Sequence, residues 1–121
     1  MELQAVQTFF LLICGHAFAD FSLQTDFIAT FKDPKKWEDL PKESSIRFPT
    51  LWIYLMTAHT LQHGAIVFLI THSLPAALLE IVVHFASDYA KCRHWINFHV
   101  DQLIHVLSKV AWVFFVYPLS F

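Results

Sequence analysis

Four apolar stretches, each close to the length of a membrane crossing, limit what this chain can become more than anything else in it. They run over about 3–20, 50–71, 75–91 and 98–119. A helix needs about 20 residues to span ~30 Å of hydrocarbon, and roughly 17 at the short end. None of the four shows the continuous polar face of a soluble amphipathic helix. Charge is instead gathered between Lys32 and Arg47, which hold five of the eight Lys/Arg and four of the ten Asp/Glu. With 56% of residues apolar and only 15% charged, the expected fold is all-α. It is a polytopic membrane protein, four transmembrane helices in a small bundle, with residues 1–121 as a single membrane domain. No period-two alternation supports a β-barrel. The third stretch is the shortest and holds Glu80, His84 and Asp88, so its insertion depends on its neighbours. Pro49 and Pro75 suit the first turns of the second and third helices.

Basic residues set the expected orientation. Four crossings put the 32–47 loop and the 91–97 turn on one side, with Lys32, Lys35, Lys36, Lys42, Arg47, Lys91 and Arg93. The opposite side has none, and Lys109 falls within a span. Positive residues stay inside, so both termini are expected to face away from the cytoplasm. A cleaved signal peptide is the rival reading of residues 1–19, because Ala17-Phe18-Ala19 resembles a cleavage site. The missing positive n-region and the intrusion of His16 weigh against it. Cys14 inside the bilayer and Cys92 at the cytoplasmic edge do not suit a disulfide. The charged 32–47 stretch reads as a solvated loop or a short interfacial helix anchored by Trp37.

Each apolar stretch carries a polar pair: His16 and Asp20, His59 and His63, His84 and Asp88, Asp101 and His105. Every pair is spaced i, i+4, which places both side chains on one helix face. At 1.5 Å per residue the histidines fall about 15–18 Å from the outer surface and the aspartates about 20–24 Å. A four-helix bundle can bring such a layer together, as carboxylate-bridged metal bundles do. Imidazole and carboxylate suit Zn²⁺ first, with Fe²⁺ or Mn²⁺ as options, and no Cys cluster argues for a softer site. His16, Asp20, His59, His63, His84, Asp88, Asp101 and His105 are the candidate ligands. They could hold two ions about 3.5–4 Å apart, or one ion with the remaining side chains orienting its ligands or carrying protons. Gly15 and Gly64 flank His16 and His63 and could let the first two helices approach closely.

Plainer roles compete. A single intramembrane histidine often only hydrogen-bonds to the next helix, and His/Asp chains also relay protons. Glu80 and Lys109 fall at similar depths and are expected to form a structural ion pair. His72, His94 and His99 sit at connections or helix edges. A net charge of −2 without a basic face leaves no nucleic-acid reading.

The segments "HAFADFSLQTDFIA", "HTLQHG", "HFASDYAK" and "DQLIH" resemble, in order and spacing, a family of small bacterial and phage inner-membrane proteins of unknown function. The shared pattern is H-x3-D-F-x-L-Q-T-D, H-x3-H-G, H-x3-D-x2-K and D-Q-x2-H. Beyond the eight ligand candidates, the resemblance implies roles for Phe21, Leu23, Gln24, Thr25, Asp26, Gly64, Lys91 and Gln102. The arrangement is also similar to inner-membrane proteins described as metal-dependent hydrolases. Membrane desaturases share an H-x3-H box, but their H-x2-H-H boxes are missing here. Lipid phosphatases share the H-x3-D spacing, but their arginine-bearing motifs are missing.

The expected function is therefore a metal-dependent hydrolase acting on a membrane lipid or lipid-linked substrate. The metal would acidify a coordinated water and polarise the scissile group. Asp20 or Asp101 is the expected general base, and Gln24, Asp26, Lys91 and Gln102 the headgroup contacts. The alternatives are a metal or proton transporter, or a metal-stapled membrane protein acting through a partner. Self-association into a homo-oligomer stays open.

Overall fold

Helix caps fix where the long segments begin. Ser73 accepts a hydrogen bond from the Ala76 amide at 3.3 Å, and Asn97 accepts one from Val100 at 2.9 Å. Each meets an amide that the first helical turn leaves unpaired. The computed structural model describes residues 2–118. Leu119, the end of the fourth expected stretch, lies outside them. Six α-helices follow in chain order: α1 (Glu2–Ala17), α2 (Asp26–Phe31), α3 (Pro34–Glu38), α4 (Leu51–Thr71), α5 (Leu74–Cys92) and α6 (Phe98–Val116). A π-helical turn, Phe18–Leu23, extends α1 beyond residue 20. No strand occurs among the described residues. Pro75 lies in the first turn of α5. Pro49 stands before the Thr50 cap of α4 rather than inside its first turn.

The four long helices close a ring, with α1 and α5 each packed against both α4 and α6. At one end Leu12, Val67, Ala76, Ala77 and Trp112 form an apolar core. At the other, buried polar groups replace it, so the interior is polar where a soluble bundle would be apolar. Two helical stretches are long and apolar enough to cross a membrane, Glu2–Leu23 and Leu51–Thr71. The 19-residue helices α5 and α6 carry more charge, and that charge points inward: Glu80, Asp88, Asp101 and Lys109 are all buried.

Close helix contact rests on two glycines. A Cβ on Gly15 would lie 2.4 Å from Ile66 Cγ2 of α4. One on Gly64 would lie 2.5 Å from Ile81 Cγ1 and 3.1 Å from the Ala77 carbonyl oxygen, both in α5. Gly64 therefore serves the α4–α5 contact, not the first-helix contact expected of it. Neighbouring residues point about 100° apart on a helix, so with His63 facing the centre, Gly64 meets the adjacent helix. Gly64→Val is expected to destabilise the bundle by about 1–3 kcal/mol through overpacking, read as a lower unfolding midpoint in detergent.

The charged 32–47 segment is not wholly solvated. Trp37 is buried and its indole N–H donates to the Phe31 carbonyl at 2.8 Å, while α2 and α3 pack on α4. Lys32, expected in solvent on the cytoplasmic loop, is buried with only 4% exposure. Both cysteines are free, Cys14 exposed and Cys92 buried.

Candidate metal centre

The π-helical turn at the end of α1 carries Asp20 into the bundle. Such turns insert one extra residue into a helix and are frequent at functional sites. The Gln24 side-chain amide donates to the Asp20 carbonyl oxygen at 3.2 Å, closing the turn. Thr25 then caps α2 by accepting from the Ile28 amide at 3.3 Å. The Q-T-D run is thus a local device that ends one helix and starts the next. Asp26 opens α2 on the exposed surface, away from the cluster.

Asp20 is the hub. Its Oδ1 lies 3.0 Å from His63 Nε2, 3.2 Å from His59 Nε2 and 3.6 Å from His84 Nε2. Its Oδ2 lies 3.3 Å from His16 Nε2. Four imidazoles from three helices thus aim the same ring atom at one carboxylate. The His59 and His84 Nε2 atoms are themselves 3.3 Å apart. The His63 and His84 rings stack at 3.6 Å, and His84 and His105 at 4.1 Å. All five histidines are buried, and the Nδ1 atoms of His16, His59, His84 and His105 have no hydrogen-bond partner. Buried polar atoms are normally satisfied. The four Nε2 atoms, which face Asp20 rather than these unpartnered Nδ1 atoms, are the ones a cation there would ligate.

Around this hub lie three carboxylates with lysine partners. Lys109 Nζ donates to Glu80 Oε1 at 2.5 Å, and Trp112 Nε1 donates to Glu80 Oε2 at 2.6 Å. Glu80 Oε1 also lies 3.4 Å from His84 Nδ1, close enough to pair with the ring though not aligned as a hydrogen bond. Asp88 takes Lys32 on Oδ2 and Lys91 on Oδ1, the latter at 3.0 Å. Asp101 accepts from Lys91 at 2.7 Å and from Ser87 at 2.6 Å, and lies 3.2 Å from His105 Nε2. Gln102, half-buried, donates to both Asp20 and Asp101 at 3.3 Å.

The structure therefore gathers His16, Asp20, His59, His63, His84, Asp88, Asp101 and His105 into one buried cluster. Lys91 and Gln102 stand at its edge, and Gln24 supports it through the backbone. Lys32 and Ser87 belong to it as well, neither of them singled out by the spacing of the polar pairs. Three donor groups can hold a divalent ion: Asp20 with His59, His63 and His84; His16, His63 and His84 with Glu80; and His84, Asp88 and His105. The first is the most complete, because its three Nε2 atoms already face one carboxylate oxygen.

Residues 8–120 match the family described as "Protein of unknown function (DUF3307)". The chain belongs to that family. No curated protein and no solved structure matches it. The family description assigns no activity, so the chemistry of this DUF3307 member has to be read from the side chains themselves.

Proposed function

We propose that this protein crosses the bacterial inner membrane four times and binds a divalent metal in its histidine–aspartate centre. On this reading it hydrolyses a lipid or lipid-linked substrate. The convergence of four imidazole Nε2 atoms on Asp20 carries the metal. Its membrane setting is supported by an outer surface studded with large apolar side chains on every long helix. Leu3, Val6 and Phe10 of α1 are exposed, as are Tyr54 and Leu69 of α4, Leu78 and Val82 of α5, and Leu103 and Phe114 of α6. Monomeric soluble proteins rarely expose contiguous apolar area on this scale. The basic residues 32–47, 91 and 93 put both termini in the periplasm.

Asp20, His59, His63 and His84 would hold the ion, with Glu80 orienting His84. Zn²⁺, Fe²⁺ or Mn²⁺ there would supply a Lewis acid and an acidified water. Of the two aspartates considered as base, Asp20 is enclosed by imidazoles and Asp101 accepts from Ser87 and Lys91, so the basic atom falls to His105. With its Nε2 toward Asp101, His105 keeps Nδ1 as a basic atom, and Asp101 holds the ring for proton transfer. Lys91 and Gln102, at the partly open edge, would meet the substrate headgroup. Metal-loaded protein is expected to turn over a member of a phosphoester or acyl-ester lipid panel. Asp101→Asn should lower that rate about 10²–10⁴-fold with metal content and helicity unchanged. Inactivity of fully loaded protein across both panels would remove the hydrolase reading.

A relay is the second reading, favoured by one continuous chain of contacts. It runs from Lys109 through Glu80 to His84, then 3.3 Å to His59, 3.5 Å to Asp88 and 3.0 Å to Lys91. Proton or metal flux in proteoliposomes, abolished by His59→Ala, would select it.

A further inference from the structure

We propose that the Lys32 ammonium occupies a second cation position, formed by His84, Asp88 and His105, so that the bundle takes one divalent ion rather than two. This rests on the metal reading above and refines it. Four carboxylates are buried in the polar half, and three lysines accompany them. Glu80 has Lys109 and Asp101 has Lys91, while Asp88 has Lys32 and shares Lys91. Asp20 alone has no lysine; its partners are imidazoles and the neutral Gln102 amide. A carboxylate buried without a counter-charge is very costly, so the ion belongs at Asp20. An ion at Asp88 would meet two ammonium groups already there.

The second position is otherwise furnished. His84, Asp88 and His105 bring three ligand atoms within 4.8 Å of one another. His105 is fully buried, and its Nε2 lies 3.2 Å from Asp101 Oδ1 and 3.9 Å from Asp88 Oδ1, aligned as a hydrogen bond with neither. What the set lacks is a free Asp88 Oδ2, because Lys32 Nζ sits on it, whereas Lys91 touches only Oδ1 and has its closer partner in Asp101.

Lys32 is placed there by its own segment. It caps the C-terminus of α2, its amide donating to the Ile28 carbonyl. The following turn is pinned by the Trp37–Phe31 hydrogen bond and by ring contacts at 5.0 Å among Phe27, Phe31 and Trp37. Lys35 and Lys36, three and four residues on, remain exposed. An ammonium supplies positive charge and three donors without needing lone pairs, so it replaces an ion's charge while leaving His105 unligated.

Counting Zn²⁺ per chain by mass spectrometry, after saturation and desalting, tests this. Wild type and Lys32→Arg should each hold about one equivalent, and Lys32→Met about two, with His84 serving the second ion and His16 completing the first beside Asp20, His59 and His63. Two equivalents in the wild type, or one in a Lys32→Met protein of native helicity, would overturn the proposal. Should Lys32→Met not fold, Asp88→Asn decides: one retained equivalent supports the proposal and loss of the ion overturns it. Absence of any metal from the wild type would instead remove the metal reading itself, and this inference with it.

Discussion

Asp20→Asn is expected to abolish metal binding while leaving the helices in place. The substitution keeps the size of the side chain and removes its charge. Four imidazole Nε2 atoms lie within 3.6 Å of this carboxylate, and no other carboxylate among the described residues faces as many. Losing an outer partner of a metal ligand costs about 10–100-fold in affinity, and loss of the central anionic ligand should exceed that. The neutral amide still accepts from His59 and His63, so circular dichroism should change little. Equilibrium dialysis against Zn²⁺ checks the affinity, and an unchanged value would mean that the imidazoles serve another purpose.

Lys109→Met should be the most destabilising single change in the bundle. Lys109 is 1% exposed and its partner Glu80 is fully buried. Deleting the lysine strands a carboxylate that keeps Trp112 and Ser108 as donors and the His84 ring 3.4 Å away, but no ammonium. Breaking a buried pair from one side costs about 3–5 kcal/mol, whereas neutralising both sides often costs little. The double variant Glu80→Gln/Lys109→Met should therefore recover most of the loss. Unfolding in mixed micelles would measure both. Equal destabilisation of the single and double variants would show that the pair acts through shape rather than charge.

The centre was legible in the sequence to the extent that it depends on helical spacing. His59 with His63, His84 with Asp88 and Asp101 with His105 each share a helix face, and a bundle leaves such faces nowhere to turn but inward. The Glu80–Lys109 pair was legible for the same reason, from matching depth. What spacing cannot reveal is a partner supplied by a folded-back segment. Lys32 lies 56 residues from Asp88 and sits among lysines that stay in water. Only its position just after the apolar Phe27, Ile28 and Phe31 hints that α2 packs down and carries it inward. The π-helical turn is equally hidden, because "HAFAD" reads as an ordinary i, i+4 pair. Asp26 shows the converse. It lies in the most distinctive motif of the chain, yet the turn that begins at Gln24 leaves it on the surface.

The central claim is that these histidines and Asp20 hold a metal ion. Elemental analysis of detergent-purified protein, beside a His59→Ala/His84→Ala variant, tests it most directly. About one equivalent of zinc, iron or manganese per chain is expected, lost in the variant while its helicity is kept. Protein purified without chelators that holds no metal even after reloading, or a variant that keeps its metal, would contradict it.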